Sequence, residues 1–187
     1  MNHFLGFFVD DQTRKHVVKK VGKVSTIFSG MHIQVRWVKP SDYHIKLQNL
    51  KGQVGPLKQI YIKKKITEIL KKPVALSLGD IKLGMNRNLR GLIYLEIDDG
   101  GELLRELRYE MIRNLKIKDN VQFVPHIALG RINKDLSRQE ISNILKDIEN
   151  ISKNESASKH KFYLKEIELV KIEEGNYKVL KKFETES

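Results

Sequence analysis

The chain alternates short segments of strand periodicity with longer segments of helix periodicity. Alternating or continuous apolar runs predict strands at residues 4–9, 33–38, 43–50, 74–83, 91–97, 123–132, 162–172 and 177–183. Helical spacing of apolar residues predicts helices after Asp10, over about residues 57–70, across Leu104 to Leu115, and behind a capping box of Ser137 and Glu140. Residues 150–159 are polar and are predicted to form a loop. Strands interspersed with helices in this way predict an α+β protein built mainly on antiparallel sheets.

The order of these elements suggests an internal duplication. A helix, a strand, a histidine-bearing strand and another helix occur once around His44 and again around His126, 82 residues later (126 − 44). Each half of the chain is therefore expected to supply one functional strand.

The overall charge favours a polyanionic partner. Lys and Arg number 35 against 23 Asp and Glu, which gives a net charge of +12. Such a surplus attracts phosphate-rich ligands, although it does not distinguish RNA from DNA or acidic membranes, and a generally Lys-rich proteome is the alternative explanation. The chain has no cysteine, no signal peptide and no apolar run of membrane-spanning length, so we expect a cytoplasmic protein.

Two tetrapeptides of the same form carry the candidate chemistry. They are His44-Ile45-Lys46-Leu47 and His126-Ile127-Ala128-Leu129. On a strand, the first and third residues point to one face and the apolar second and fourth to the other. A single histidine on a strand is usually structural, but two matching tetrapeptides, each after turn or proline chemistry, are a more specific signal. We therefore predict that both histidines face one cleft.

This pair resembles the signature of the two-histidine phosphoesterases, and in particular the RNA 2′,3′-cyclic phosphodiesterases, also called 2′-5′ RNA ligases or LigT-like proteins. Their mark is a pair of H-x-[Thr/Ser]-x motifs. The likeness extends over nearly the whole chain and includes the opening strand at residues 4–9, Arg36-Trp37-Val38, Pro125 to Arg131, and the closing strands.

The resemblance implies a single domain over residues 1–187 with a bilobal fold, in which two pseudo-symmetric antiparallel sheets have helices outside and a groove between them. It also implies hydrolysis of a terminal 2′,3′-cyclic phosphate to a 2′-phosphate, without metal or other cofactor. By that resemblance His44 would be the proton donor and His126 the proton acceptor; imidazole titrates near neutral pH and can take either role. The implied ligand is RNA with a 2′,3′-cyclic phosphate or a 2′-5′ linkage. A monomer with no obligate protein partner is the default expectation.

The sequence departs from the family motif at both third positions. Lys46 and Ala128 replace the hydroxyl residues that contact phosphate oxygens. Lys46 could hold the phosphate as a point charge or could be a solvated residue at the rim. Arg131 could also contact phosphate, but its odd separation from His126 puts it on the opposite face unless the strand bulges or ends. Trp37 could stack a base, although packing in the core is the better expectation.

Three functions therefore remain open from the sequence. The first is an RNA-end cyclic phosphodiesterase, with or without the reverse ligase activity. The second is a catalytically weak or inactive relative that binds RNA or a nucleotide in the same basic groove. The third is an enzyme of the same fold that acts on another cyclic or 2′-5′ phosphodiester.

Overall fold

The computed structural model of the chain describes residues 2–119, 121–153 and 160–185. Four α-helices lie in these ranges: α1 (Asp11–Gly30), α2 (Pro56–Ile69), α3 (Gly101–Asn114) and α4 (Arg138–Lys153). The strands are β1 (Asn2–Phe8), β2 (Val35–Trp37), β3 (His44–Leu50), β4 (Val74–Leu83), β5 (Leu92–Ile97), β6 (His126–Ile132), β7 (Lys161–Leu164), β8 (Glu166–Glu173) and β9 (Asn176–Glu184). None of the helices in the described ranges has both the length and the apolar character needed to cross a membrane.

The strands form one antiparallel sheet in two halves. Its order is β7-β4-β5-β6-β3-β1-β8-β9, with β2 added to β6. The halves meet between β3 and β6, where Ile45 opposite Ile127 is the one paired position. The predicted α+β bilobal architecture is therefore confirmed, with the two predicted sheets continuous through this narrow join.

The apolar core lies on the face of the sheet that carries the helices. Alternating strand residues contribute to it together with residues from all four helices, among them Val24, Ile66, Met111 and Ile144. Packing of their apolar faces in this core stabilises the four helices, because isolated helices of this length are only marginally stable in water. The opposite face of the sheet is left for other side chains.

Side chains cap two helices as their sequences predict. Asp10 accepts a hydrogen bond from the backbone N–H of Thr13 (2.8 Å) at the start of α1. At the start of α4, the backbone N–H of Ser137 donates to the Glu140 carboxylate (2.7 Å), and that of Glu140 donates to the Ser137 hydroxyl (3.2 Å). These bonds satisfy N–H groups that have no partner inside the helix.

Three predicted boundaries are wrong. Residues 162–172 are not one strand, because β7 pairs with β4 in one half of the sheet and β8 pairs with β1 in the other, with Lys165 between them. The strand predicted from residue 123 begins at His126, since Pro125 has no N–H to donate to a neighbouring strand. The predicted loop at 150–159 starts late, because α4 continues to Lys153, and residues 154–159 lie outside the described ranges.

Candidate active site

Each of the two H-I-x-L segments has one face toward the apolar core and the other toward a cavity, as predicted. Their four Ile and Leu residues are buried in the apolar core. His44, Lys46, His126 and Ala128 line a cavity of about 370 Å³ on the other face. The strand alternation thus separates the residues that stabilise the fold from the residues that are available for chemistry.

The strand register brings the two motifs together. Because Ile45 lies opposite Ile127 in an antiparallel pair, Lys46 falls beside His126 and Ala128 falls beside His44. The two histidines are then diagonal neighbours, a relation that places residues about 7 to 8 Å apart. Residues 82 positions apart in the chain therefore share one site.

Both motif strands carry a bulge at the same position. On β3, Lys46 pairs with Gly6 and Gln48 pairs with Leu5, so Leu47 is the extra residue. On β6, Ala128 pairs with Tyr94 and Gly130 pairs with Ile93, so Leu129 is the extra residue. The duplication predicted from the sequence thus extends to the irregularities of the sheet.

These bulges reverse the alternation beyond each motif. Arg131, five residues after His126, consequently returns to the histidine face and lines the cavity. Asn49, five residues after His44, takes the corresponding place in the other half and also lines the cavity. Strict alternation along the strand would place Arg131 on the face opposite His126. The bulge at Leu129 accounts for its observed position on the histidine face.

The backbone sets the same tautomer in both histidines. The Nδ1 atom of His44 is 2.7 Å from the carbonyl oxygen of Asp42, and that of His126 is 2.6 Å from the carbonyl oxygen of Val124. A carbonyl oxygen can only accept, so each Nδ1 carries the proton and donates it. The Nε2 atom of each neutral ring is then left with a lone pair for proton transfer.

Aromatic rings enclose His44. Its ring stacks on Phe4 (5.0 Å between centroids), lies 5.3 Å from Phe8, and meets Tyr177 edge to face at 4.9 Å. Only 8% of His44 is exposed. This burial lowers the pKa of His44 to about 4, and the Lys46 ammonium acts in the same direction. The ring is therefore neutral at neutral pH in the free protein.

His126 is less enclosed and has a similar electrostatic environment. Its ring meets Tyr94 edge to face at 5.1 Å. Burial lowers the pKa of His126 below its ordinary value, and Lys46 lowers it further. Both histidines are thus poised as neutral bases until an anion enters the cavity.

Lys46 is a half-buried cation whose charge acts on both histidines. Its ammonium is 4.8 Å from the centre of the Phe4 ring, a cation–π contact. Burial lowers the pKa of Lys46. No carboxylate in the described ranges forms an ion pair with it, so its charge is available to an anionic ligand.

A partly buried polar network forms one wall of the cavity and was not predicted from the sequence. Arg108 of α3 donates to the side chain of Gln48 (3.1 Å) and to the carboxylate of Asp119 (2.9 Å). It also donates to the carbonyl oxygen of Val121 (3.2 Å), and its guanidinium covers the ring of Phe123 at 5.2 Å. The network connects β3 and α3 to the segment that leads to His126. No spacing rule connects these residues, because the helix, strand and loop meet only after folding.

Other candidates lie elsewhere. Trp37 does not line the cavity but packs edge to face on Phe28 (6.0 Å), as expected for a core residue. The other four histidines of the chain are also absent from the cavity lining.

Solved structures share this arrangement of elements. The protein TT0787 of Thermus thermophilus superposes with a TM-score of 0.67 over 98% of this chain and 97% of its own, at 18% identity. E. coli LigT in its apo form superposes with a TM-score of 0.67 over 100% of this chain and 98% of its own, at 16% identity. This chain has the same fold as E. coli LigT.

Another solved structure has a similar fold. A protein described as a phosphoesterase superposes with a TM-score of 0.66 over 100% of this chain and 99% of its own, at 14% identity. By sequence, the chain matches no protein-family model and no curated protein. The LigT-like fold is therefore recognisable in the arrangement of strands and helices, whereas overall sequence similarity is low.

Proposed function

We propose that this protein is an RNA 2′,3′-cyclic phosphodiesterase that opens a terminal cyclic phosphate to a 2′-phosphate. The observation that carries the proposal is the matched pair of histidines. Both line one cavity, and both have Nδ1 committed to a backbone carbonyl, which leaves two Nε2 atoms for proton transfer. Opening a cyclic phosphodiester requires one base and one acid on either side of the phosphorus.

In the proposed reaction, Nε2 of His126 takes a proton from a water molecule as the water oxygen attacks phosphorus. The bond between phosphorus and the 3′ oxygen breaks, and Nε2 of His44 gives its proton to that oxygen. The product carries a 2′-phosphate and a 3′-hydroxyl. With a 5′-hydroxyl in place of water as the nucleophile, the same ring opening would give a 3′-hydroxyl and a 2′-5′ linkage, and cleavage of that linkage to the cyclic phosphate would be the reverse step.

His44 needs a proton before it can act as the acid. Its pKa is about 4 in the free protein, so it binds substrate while neutral at neutral pH. The negative charge of the bound phosphodiester favours the imidazolium and raises the pKa of His44. Substrate binding and protonation of the acid are therefore coupled in this proposal.

Lys46 takes the place of one missing hydroxyl in the proposed site. The side chain stands beside His126 and has no carboxylate partner in the described part of the chain, so it can contact a non-bridging phosphate oxygen. Arg131 offers a second cation at the cavity wall. Ala128 supplies no polar group and leaves space next to His44. A hydrogen bond to a charged group contributes about 1.5 to 3 kcal/mol. Lys46 can replace the contribution of the missing hydroxyl at its own position, whereas Ala128 leaves the second missing hydroxyl without a replacement.

Three further observations support an RNA end as the ligand. The net charge of +12 favours a polyanion. LigT, which shares the fold, has been crystallised with phosphate, with ATP, with NADP+ and with 3′-AMP. A cavity of about 370 Å³ lies within the usual range for small-molecule sites, which fits one terminal nucleotide.

The test is turnover of an RNA oligonucleotide that ends in a 2′,3′-cyclic phosphate, measured for the natural chain and for His44→Ala and His126→Ala. We expect hydrolysis to a 2′-phosphate by the natural chain and a loss of at least about a hundredfold in either variant. His32→Ala, which changes a histidine outside the cavity, is the control. Turnover that survives both cavity substitutions would refute the proposed roles.

The binding-protein alternative rests on the two replaced hydroxyls. It predicts no turnover by the natural chain, together with RNA binding that weakens steeply as salt rises. The third alternative predicts no hydrolysis of the RNA end but hydrolysis of another cyclic or 2′-5′ phosphodiester, which a panel of nucleoside cyclic phosphates and 2′-5′-linked dinucleotides would detect.

A further inference from the structure

A second cavity adjoins the histidine cleft. Its volume is about 610 Å³, and it lies across the connection between β4 and β5, residues 84–91. Asn86 and Asn88 of this connection line the cleft, whereas Arg87 and Arg90 line the second cavity. Arg131 lines both cavities.

The second cavity has an excess of cations. Arg87 forms no ion pair within the described part of the chain. Arg90 pairs with Asp135 at 2.9 Å, but these side chains are 73% and 87% exposed. An exposed pair of this kind contributes little and exchanges readily for another anion. The Arg131 guanidinium donates to the carbonyl oxygen of Arg90 (2.8 Å), which leaves further N–H groups for a ligand.

The two halves of the cleft differ in charge at equivalent positions. The matched bulges place Asn49 after the His44 motif where Arg131 stands after the His126 motif. The end at Asn49 therefore presents a neutral amide beside the paired charges of Arg108 and Asp119, whereas the other end presents the Arg131 guanidinium, with Arg87 and Arg90 in the adjoining cavity. A polyanion lying in the cleft is stabilised in the orientation that extends from the Arg131 end.

We propose that the second cavity binds the RNA backbone upstream of the terminal nucleotide, with Arg87, Arg90 and Arg131 contacting its phosphates. The inference rests on the proposed function, because the RNA would pass Arg131 into the second cavity only if its terminal cyclic phosphate occupies the histidine cleft. It makes the preferred substrate an oligonucleotide rather than a cyclic mononucleotide, since arginine guanidinium groups favour phosphate and each neutralised phosphate adds to affinity.

The test measures binding and does not depend on turnover. The probes are a hexanucleotide that ends in a 2′-phosphate and the corresponding nucleoside 2′-phosphate. We expect the natural chain to bind the hexanucleotide more tightly, and the double variant Arg87→Gln/Arg90→Gln to reduce the ratio of the two affinities. The slope of log affinity against log salt for the hexanucleotide should fall by about 0.7 for each phosphate that the variant no longer neutralises, the value for single strands.

Arg105→Gln is the matched control, since Arg105 is an arginine of α3 outside both cavities and pairs with Glu102. A double variant with the same affinity ratio and salt slope as this control would overturn the proposal. Equal displacement of the hexanucleotide by a polyglutamate peptide of the same charge would also overturn it, because the cavity would then bind any polyanion. Length-dependent binding without turnover of cyclic ends would support the backbone site and refute the proposed reaction instead.

Discussion

The burial of His44 predicts a specific loss of stability in acid. His44 keeps a pKa of about 4 in the fold against an ordinary value of 6.5. The unfolded chain therefore binds a proton at this residue in a pH range where the folded chain does not. Stability from this source is complete above pH 6.5 and is lost as the pH falls from 6.5 towards 4.

The size of the effect follows from the two pKa values. Between pH 8 and pH 5, the proton that only the unfolded chain binds lowers the free energy of unfolding by about 2 kcal/mol, and the loss approaches about 3 kcal/mol near pH 4. His44→Phe removes the titrating ring and places an apolar ring among Phe4, Phe8 and Tyr177, which already surround the position.

Urea denaturation of the natural chain and of His44→Phe at pH 8, 7, 6 and 5 measures this term. The difference between the two free energies of unfolding is the quantity of interest, because titrations shared by both chains cancel in it. We expect this difference to shift in favour of His44→Phe by about 2 kcal/mol from pH 8 to pH 5. A difference that stays constant across these pH values would refute the argument that burial keeps His44 neutral.

The remaining predictions concern Lys46 and two glycines. Lys46→Ala removes a cation that lowers the pKa of both site histidines, so the optimum of kcat/KM should move to higher pH as the rate falls. Lys46→Thr, which restores a hydroxyl, should retain more activity than Lys46→Ala. Gly6→Ala should lower the free energy of unfolding by at least about 1 to 3 kcal/mol, because the new Cβ would lie 2.4 Å from the carbonyl oxygen of Ile45. Gly22→Ala, on the exposed side of α1, should raise that free energy by about 0.5 to 1 kcal/mol.

Each of these predictions has a contradicting result. An unshifted pH profile in Lys46→Ala, with the rate reduced, would mean that Lys46 contacts substrate without influencing the histidines. Equal kinetics for the natural chain and both Lys46 variants would make the residue a rim charge. Equal stability of Gly6→Ala and Gly22→Ala would show that the first motif strand can move away from β1 without loss.

The sequence by itself determined most of the local structure and the equivalence of the two motifs. Helical and strand periodicity report which face of each element avoids water, and this pattern is written in consecutive residues. It therefore predicted the burial of the Ile and Leu residues and the orientation of His44, Lys46, His126 and Ala128. The repeated tetrapeptide also indicated that two distant strands are equivalent.

Only the tertiary structure decided how those strands meet. The bulges at Leu47 and Leu129 arise from pairing with β1 and β5, and they bring Arg131 and Asn49 into the cleft against the simple alternation of the sequence. A periodic reading cannot locate such a bulge, because the extra residue is chosen by the partner strand.

The electrostatic state of the site also belongs to the tertiary structure. The pKa of His44 depends on burial among aromatic rings and on the charge of Lys46. Lys46 is close to His44 in the chain, but the rings come from the distant strands β1 and β9. The network of Arg108 likewise joins a helix, a strand and a loop. Composition and motifs supply the reacting groups, whereas folding sets their distance, solvation and protonation, because these depend on atoms far away in sequence.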